Sequence, residues 1–326
     1  MSKTLIISLN IIFIAFITGY ILQKLEQRNI IRLPLGRDKF RKLLQKIALL
    51  IFLPISTIGT LWVIKIENIK LAALPFLSIL AILLGGVFGL IIAKILKLDR
   101  KDTGSIFTCG SFTNSASIGG LICYVFLGEA GFALSSLYRL FIPIIFFGFG
   151  FPIAKSFSKK ITSNSILLLQ LRSILKDVFV LVGLLSIVVG MLFNISGIKR
   201  PAIYQDINAI SIPGSTILLL ISIGLAMKFG KVKKYIREGI AVSVIKYFLL
   251  PVIISSIAFL LSYGRILGGL PLKVVIILSS MPVAFTALIP VSIYDLNLDL
   301  ANSCWLVTNL ALIIYLPILF YIINLF

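Results

Sequence analysis

Ten mostly apolar runs follow one another along this chain, each of about 20 residues, the length a helix needs to cross a bilayer. They fall near 3–23, 44–65, 71–96, 104–127, 131–155, 175–195, 210–230, 239–261, 271–293 and 299–325. Inside lipid every backbone N–H and C=O must find its partner within the protein, so runs of this kind fold as helices. Composition agrees, because 59% of the 326 residues are hydrophobic, more apolar side chain than a water-soluble domain hides. The chain reads as an all-α, multi-pass integral membrane protein. The run Leu5–Leu22 is too long for the core of a signal peptide and no small-residue cleavage site follows it, so it reads as an uncleaved first span.

The net charge of +20 would suit a nucleic-acid binder, but its placement argues against one. Lys and Arg gather in short loops between apolar runs, as topology signals do, and no basic face interleaved with exposed aromatics is available to read bases. The loops 24–43, 97–103, 156–174 and 228–238 are rich in Lys and Arg, and the alternate loops are poor. The rich loops are expected in the cytoplasm, with both termini outside. The predicted location is the plasma membrane, of the bacterial inner-membrane type.

Two spans interrupt themselves. In span four the stretch Thr113-Asn114-Ser115-Ala116-Ser117-Ile118-Gly119-Gly120 is small and polar, a composition that favours turns over helix interiors. In span nine, Met281-Pro282-Val283-Ala284 and Ile289-Pro290 remove backbone donors. The interruptions lie roughly 170 residues apart, and paired interruptions in two halves point to a transporter's binding site. Shifting the chain by that offset lays spans one to five on six to ten, Tyr124 on Tyr294, Glu129 on Asp299 and Arg139 on Asn309. The second half would then be inverted in the membrane. The expected fold is a five-plus-five inverted repeat, 1–160 and 161–326, with the basic stretch 156–174 as linker and helices four and nine broken and crossing.

The candidate substrate-binding residues follow from those breaks. Asn114, Ser115 and Ser117 offer hydrogen bonds. Gly119, Gly120, Pro282 and Pro290 mark half-helix ends whose dipoles attract ions, and Thr286 adds a hydroxyl. The competing reading of the small residues is close helix packing, and that of the prolines a simple kink. Arg139, inside span five, reads either as a counter-charge facing the bundle or as a snorkelling side chain. Lys246, nearer the expected cytoplasmic end of span eight, reads as snorkelling. Thr308 and Asn309 serve either the site or interhelical hydrogen bonding. Cys109, Cys123 and Cys304 lack metal-ligand spacing and read as packing thiols, and the chain has no His, so no metal or other cofactor is expected. No acid lies mid-span, which disfavours a proton relay through a central carboxylate. Sodium could still bind neutral oxygens.

Asn114-Ser115-Ala116-Ser117-Ile118-Gly119-Gly120, followed by Phe126-Leu127-Gly128-Glu129-Ala130-Gly131, resembles the auxin efflux carrier family. Met281-Pro282-Val283-Ala284 and the step from Tyr294 to Asp299 resemble its second half. Leu121 stands where relatives usually carry the proline of the first crossover, and Gly119-Gly120 would supply the break instead. The family is related to the bile acid:sodium symporters and shares their crossed-helix fold. The resemblance implies a secondary carrier of small organic anions, auxin-like or dicarboxylate. Spans one, two, six and seven would form a scaffold, and three to five with eight to ten a moving core. It places substrate contact at Asn114 and around Gly119 and Pro282, and suggests a homodimer.

The expected function is therefore a permease or efflux carrier working by alternating access on a small organic anion, with sodium or a proton as an open choice of coupling ion. Alternatives are a sodium-coupled symporter of the bile-acid type, a cation antiporter or, outside transport, a receptor. A membrane-embedded enzyme would need an activated nucleophile or acid pair that the spans do not offer, so the chain is not expected to be an enzyme.

Overall fold

The structure is a computed structural model and describes residues 3–64, 68–158, 178–227 and 230–326. Most of the expected linker, with Lys159, Lys160 and Arg172, lies outside the described residues, as do Glu67, Asp177 and Lys228.

The regular secondary structure of the described residues is helical, apart from one isolated backbone bridge. In order the helices are α1 (Lys3–Gln27), α2 (Arg37–Leu61), α3 (Leu74–Ile95), α4 (Arg100–Ser111), α5 (Ile118–Tyr138), α6 (142–156), α7 (Val178–Ile195), α8 (Ile203–Gly224), α9 (Val232–Leu260), α10 (Leu270–Ser279), α11 (Leu288–Ile293) and α12 (Leu298–Ile323). Among the described residues six helical runs are long and apolar enough to cross a membrane: Arg37–Leu61, Ile69–Ile95, Ile118–Ser156, Ile203–Gly224, Val232–Leu260 and Leu298–Ile323. The protein is therefore a multi-pass membrane protein. At 1.5 Å per residue, α4 and α10 reach only about 18 and 15 Å, half the hydrocarbon thickness.

The helices group into two compact units. The first takes residues 1–67, 116–136 and 178–228. In it α1 and α8 touch backbone to backbone: a Cβ on Gly19 would lie 2.2 Å from the Ile221 carbonyl oxygen. Gln23 donates to the Leu225 and Met227 carbonyls, closing the C-terminal end of α8. The end of α2 is closed by Asn194, whose amide donates to the carbonyls of Leu61, Trp62 and Ile64 at 2.9, 3.0 and 2.7 Å. Glu129 is held by Arg200 at 2.6 Å and by the Asn208 amide at 3.2 Å. It follows Gly128, whose φ of 70° and ψ of −164° split α5.

The second unit takes residues 68–115, 137–177 and 229–326. Gly85 of α3 and Gly110 of α4 meet there, and a Cβ on either would stand 2.2–2.3 Å from the other's carbonyl oxygen. Asp99 and Asn297 cap α4 and α12 by accepting the Asp102 and Leu300 N–H groups. Of the edge acids, Asp295 pairs with Lys101 at 2.8 Å and Asp299 with Lys231 at 2.7 Å.

Three prolines leave the same mark. Pro54, Pro152 and Pro251 each follow a wide π turn, at Ala48–Phe52, Phe146–Gly150 and Ile245–Leu249. Proline cannot donate to the ladder and its ring collides with the carbonyl one turn earlier. Widening that turn by one residue relieves the collision without ending the helix.

Candidate functional site

Two extended segments meet inside the second unit. α4 ends at Ser111, where Ser111, Thr113, Asn114 and Ser115 compete for backbone hydrogen bonds. α10 ends at Ser279, two residues before Met281-Pro282, where proline blocks the ladder and biases Met281 towards extended backbone. Thr113 and Val283 form an antiparallel bridge. The Asn114 N–H donates to the Pro282 carbonyl at 2.8 Å, and the Ala284 N–H to the Phe112 carbonyl at 2.9 Å.

Neighbouring side chains satisfy the backbone groups that this pairing leaves over. The Val283 N–H donates to the Thr308 hydroxyl at 3.2 Å, and the Asn309 amide donates to the Val283 carbonyl at 3.4 Å and to Trp305 at 2.7 Å. Tyr247 donates its hydroxyl to the Thr308 carbonyl. Broken backbone at membrane depth is stable only with such bookkeeping complete.

A lysine, Lys246, lies at this junction. Its side chain is 0% exposed. Its ammonium donates to the Gly110 carbonyl at 2.6 Å and to the Thr113 hydroxyl at 2.7 Å. The snorkelling expected from its position along span eight is therefore corrected. Lys246 lies in the π turn before Pro251, which carries it into the unit rather than along the helix surface. The spacing of Lys246 to Pro251 was the signal available in the sequence.

The structure sorts the sequence-predicted residues. Asn114, Ser115, Pro282 and Asn309 come together where the two extended segments meet, the first three buried. Ser117, Gly119 and Gly120 are buried in the first unit, whose boundary runs between Ser115 and Ala116. There the Ser117 carbonyl accepts the Thr216 hydroxyl at 3.2 Å. Gly119-Gly120 do not supply the break: they lie in the first turn of α5, and the interruption is 112–117. Thr286 is exposed, Pro290 sits within α11 rather than at a break, and Arg139 is half-buried at the turn between α5 and α6. Thr113 and Thr308, the former quoted only within its motif, prove to be part of the junction. All three cysteines are buried and unpaired by disulfides.

A cavity of about 10 Å³ lies beside Thr113 and Ser115, bounded also by Ser78, Tyr138 and Leu278. That is room for about one water. A wider hollow of about 570 Å³ in the first unit, at Trp62, Asn194 and Arg200, touches none of the predicted residues.

Residues 4–321 match the family described as membrane transport protein. The chain belongs to that family. Within it, the chain is similar to an uncharacterized transporter of Methanothermobacter thermautotrophicus, 22% identical over 256 residues covering 76% of this chain and 77% of the relative. It is also similar to an uncharacterized transporter of Methanocaldococcus jannaschii, 24% identical over 293 residues covering 85% and 88%. A family match that runs almost end to end makes the protein a secondary membrane transporter, and the junction of 112–115 with 281–284 lies well inside the matched range.

Proposed function

We propose that this transporter is an auxin-efflux-type carrier that moves a small organic anion, auxin-like or dicarboxylate, by alternating access around crossing helices four and nine. The observation that carries the reading is the reciprocal pairing of Asn114 with Pro282 and Ala284 with Phe112 between two half-length helices. Backbone broken at mid-membrane is tolerated only where it is buried in protein or lines a water-filled cavity, and paired breaks in two halves point to a transporter's site. The anion class draws support from Lys246, whose side-chain amine lies at the junction with no carboxylate ion-paired to it among the described residues. Asn114 and Ser115 are the proposed substrate ligands, with Asn309 holding the Val283 carbonyl in place. The gathering of spans one, two, six and seven in the first unit, which also takes residues 116–136, supports a division into scaffold and core.

The test is flux in proteoliposomes. Malate, malonate and indole-3-acetate are loaded in turn, with and without sodium and proton gradients. Saturable movement of one anion, weakened in Asn114→Ala, is the expected result. Full flux in that variant would remove Asn114 from the site. Strict sodium dependence would favour the symporter of the bile-acid type.

A further inference from the structure

The C-terminal end of a helix carries roughly half a negative charge on its unsatisfied carbonyls. α4 ends at Ser111 inside the second unit, so that partial charge stands at the crossing. An anion brought to Asn114, three residues on, would meet repulsion from it. Lys246 answers this directly, because its ammonium donates to the Gly110 carbonyl in the last turn of α4. The second broken helix is finished differently. At its end the Ser279 and Ser280 hydroxyls donate back to Val275 and Ile276 at 2.7 Å, and the Tyr315 hydroxyl donates to Ser280 at 3.3 Å. One helix end is capped by a lysine side chain and the other by neutral hydroxyls.

Burying an ammonium away from water is expensive even when its hydrogen bonds are made. Packing alone does not require it, since methionine fills the same volume without that penalty. An ionisable side chain inside a membrane protein is by default a functional group. We propose that Lys246 is the resident cation of this carrier. Its tethered ammonium occupies the place at the end of α4 where a soluble monovalent cation would otherwise be needed, so the anion binds without a co-transported sodium. The proposal rests on the anion-carrier reading and names its coupling.

Full-length wild type, Lys246→Ala, Lys246→Met and Lys246→Arg decide it in two arms. The first needs no substrate: thermal unfolding is followed in choline, sodium and methylammonium chloride at equal ionic strength. Wild type is expected to unfold at one midpoint in all three salts. Lys246→Ala, with space for a small cation, is expected to unfold lower in choline and to recover in methylammonium or sodium. Lys246→Met, with the space filled, should not respond. In the second arm anion flux by wild type is unchanged when choline replaces sodium, falls roughly tenfold or more in Lys246→Met, as loss of hydrogen bonds to a charged group implies, and is partly kept in Lys246→Arg. Should Lys246→Ala not fold, arginine against methionine decides the role of charge. Wild-type flux that falls on sodium removal, full flux in Lys246→Met, or a folded Lys246→Ala indifferent to every cation would each overturn the proposal. If no anion moves through wild type while Lys246→Ala still recovers in methylammonium, the anion reading fails and the resident cation stands.

Discussion

Gly85 and Gly110 set how near the backbone of α3 comes to that of α4, and Gly110 also gives its carbonyl to Lys246. A methyl group on Gly85 would need the space of that carbonyl oxygen, 2.2 Å away. Backbone cannot swing aside as a flexible side chain can, so Gly85→Ala is expected to cost about 1–3 kcal/mol and to lower the unfolding midpoint. Because the displaced atom is the acceptor of Lys246, transport should fall with it, whereas Gly183→Ala, on a position with nothing within 4 Å, should leave both unchanged. Residues of this kind are hard to read from sequence. Hydropathy counts Lys246 by its distance from the end of an apolar run and sends it to the surface. What turns it inward is Pro251, through a widened turn that a strict 3.6-residue period does not contain.

At the level of elements, both breaks were legible because each has a local chemical cause: proline in one, a cluster of serine, threonine and asparagine in the other. The exact site of the first was not. Gly119 and Gly120 stand where the family resemblance puts the first break, yet a glycine pair in the first turn of α5 continues the helix, and the polar side chains just before it end the previous one. Gly128 does interrupt a helix, at φ 70° and ψ −164°, a region closed to other residues. Gly128→Ala should destabilise the protein by about 1–3 kcal/mol, measurable as a lower thermal midpoint. It should also misdirect Glu129, the next residue, from Arg200 and Asn208.

Across the whole molecule, each compact unit draws on three stretches of chain, and the chain passes between units at residues 68, 116, 137, 178 and 229. Hydropathy ranks segments one at a time and does not say which distant helices pair, so this grouping was not legible from the runs alone. α1 and α2 find α7 and α8 only after the intervening helices have been made. A fragment ending at residue 158 therefore lacks the partners of α1 and α2 in the first unit, and α9 to α12 in the second. Expressed alone in membranes, it is expected to be cleared or cut by protease far faster than the intact chain, by pulse-chase. An equally long-lived fragment would mean that the first 158 residues are a folding unit in their own right.

The pairing of Asn114 with Pro282 and of Ala284 with Phe112 has one more consequence. These two amide protons belong to no helical ladder, so the fraying of neighbouring helices does not release them. They leave for solvent only when the two extended segments part. Their exchange with heavy water is thus a clock for the parting of these two segments, readable at two known addresses in an unmodified protein. A substrate that holds the segments together slows the clock, and one that levers them apart speeds it.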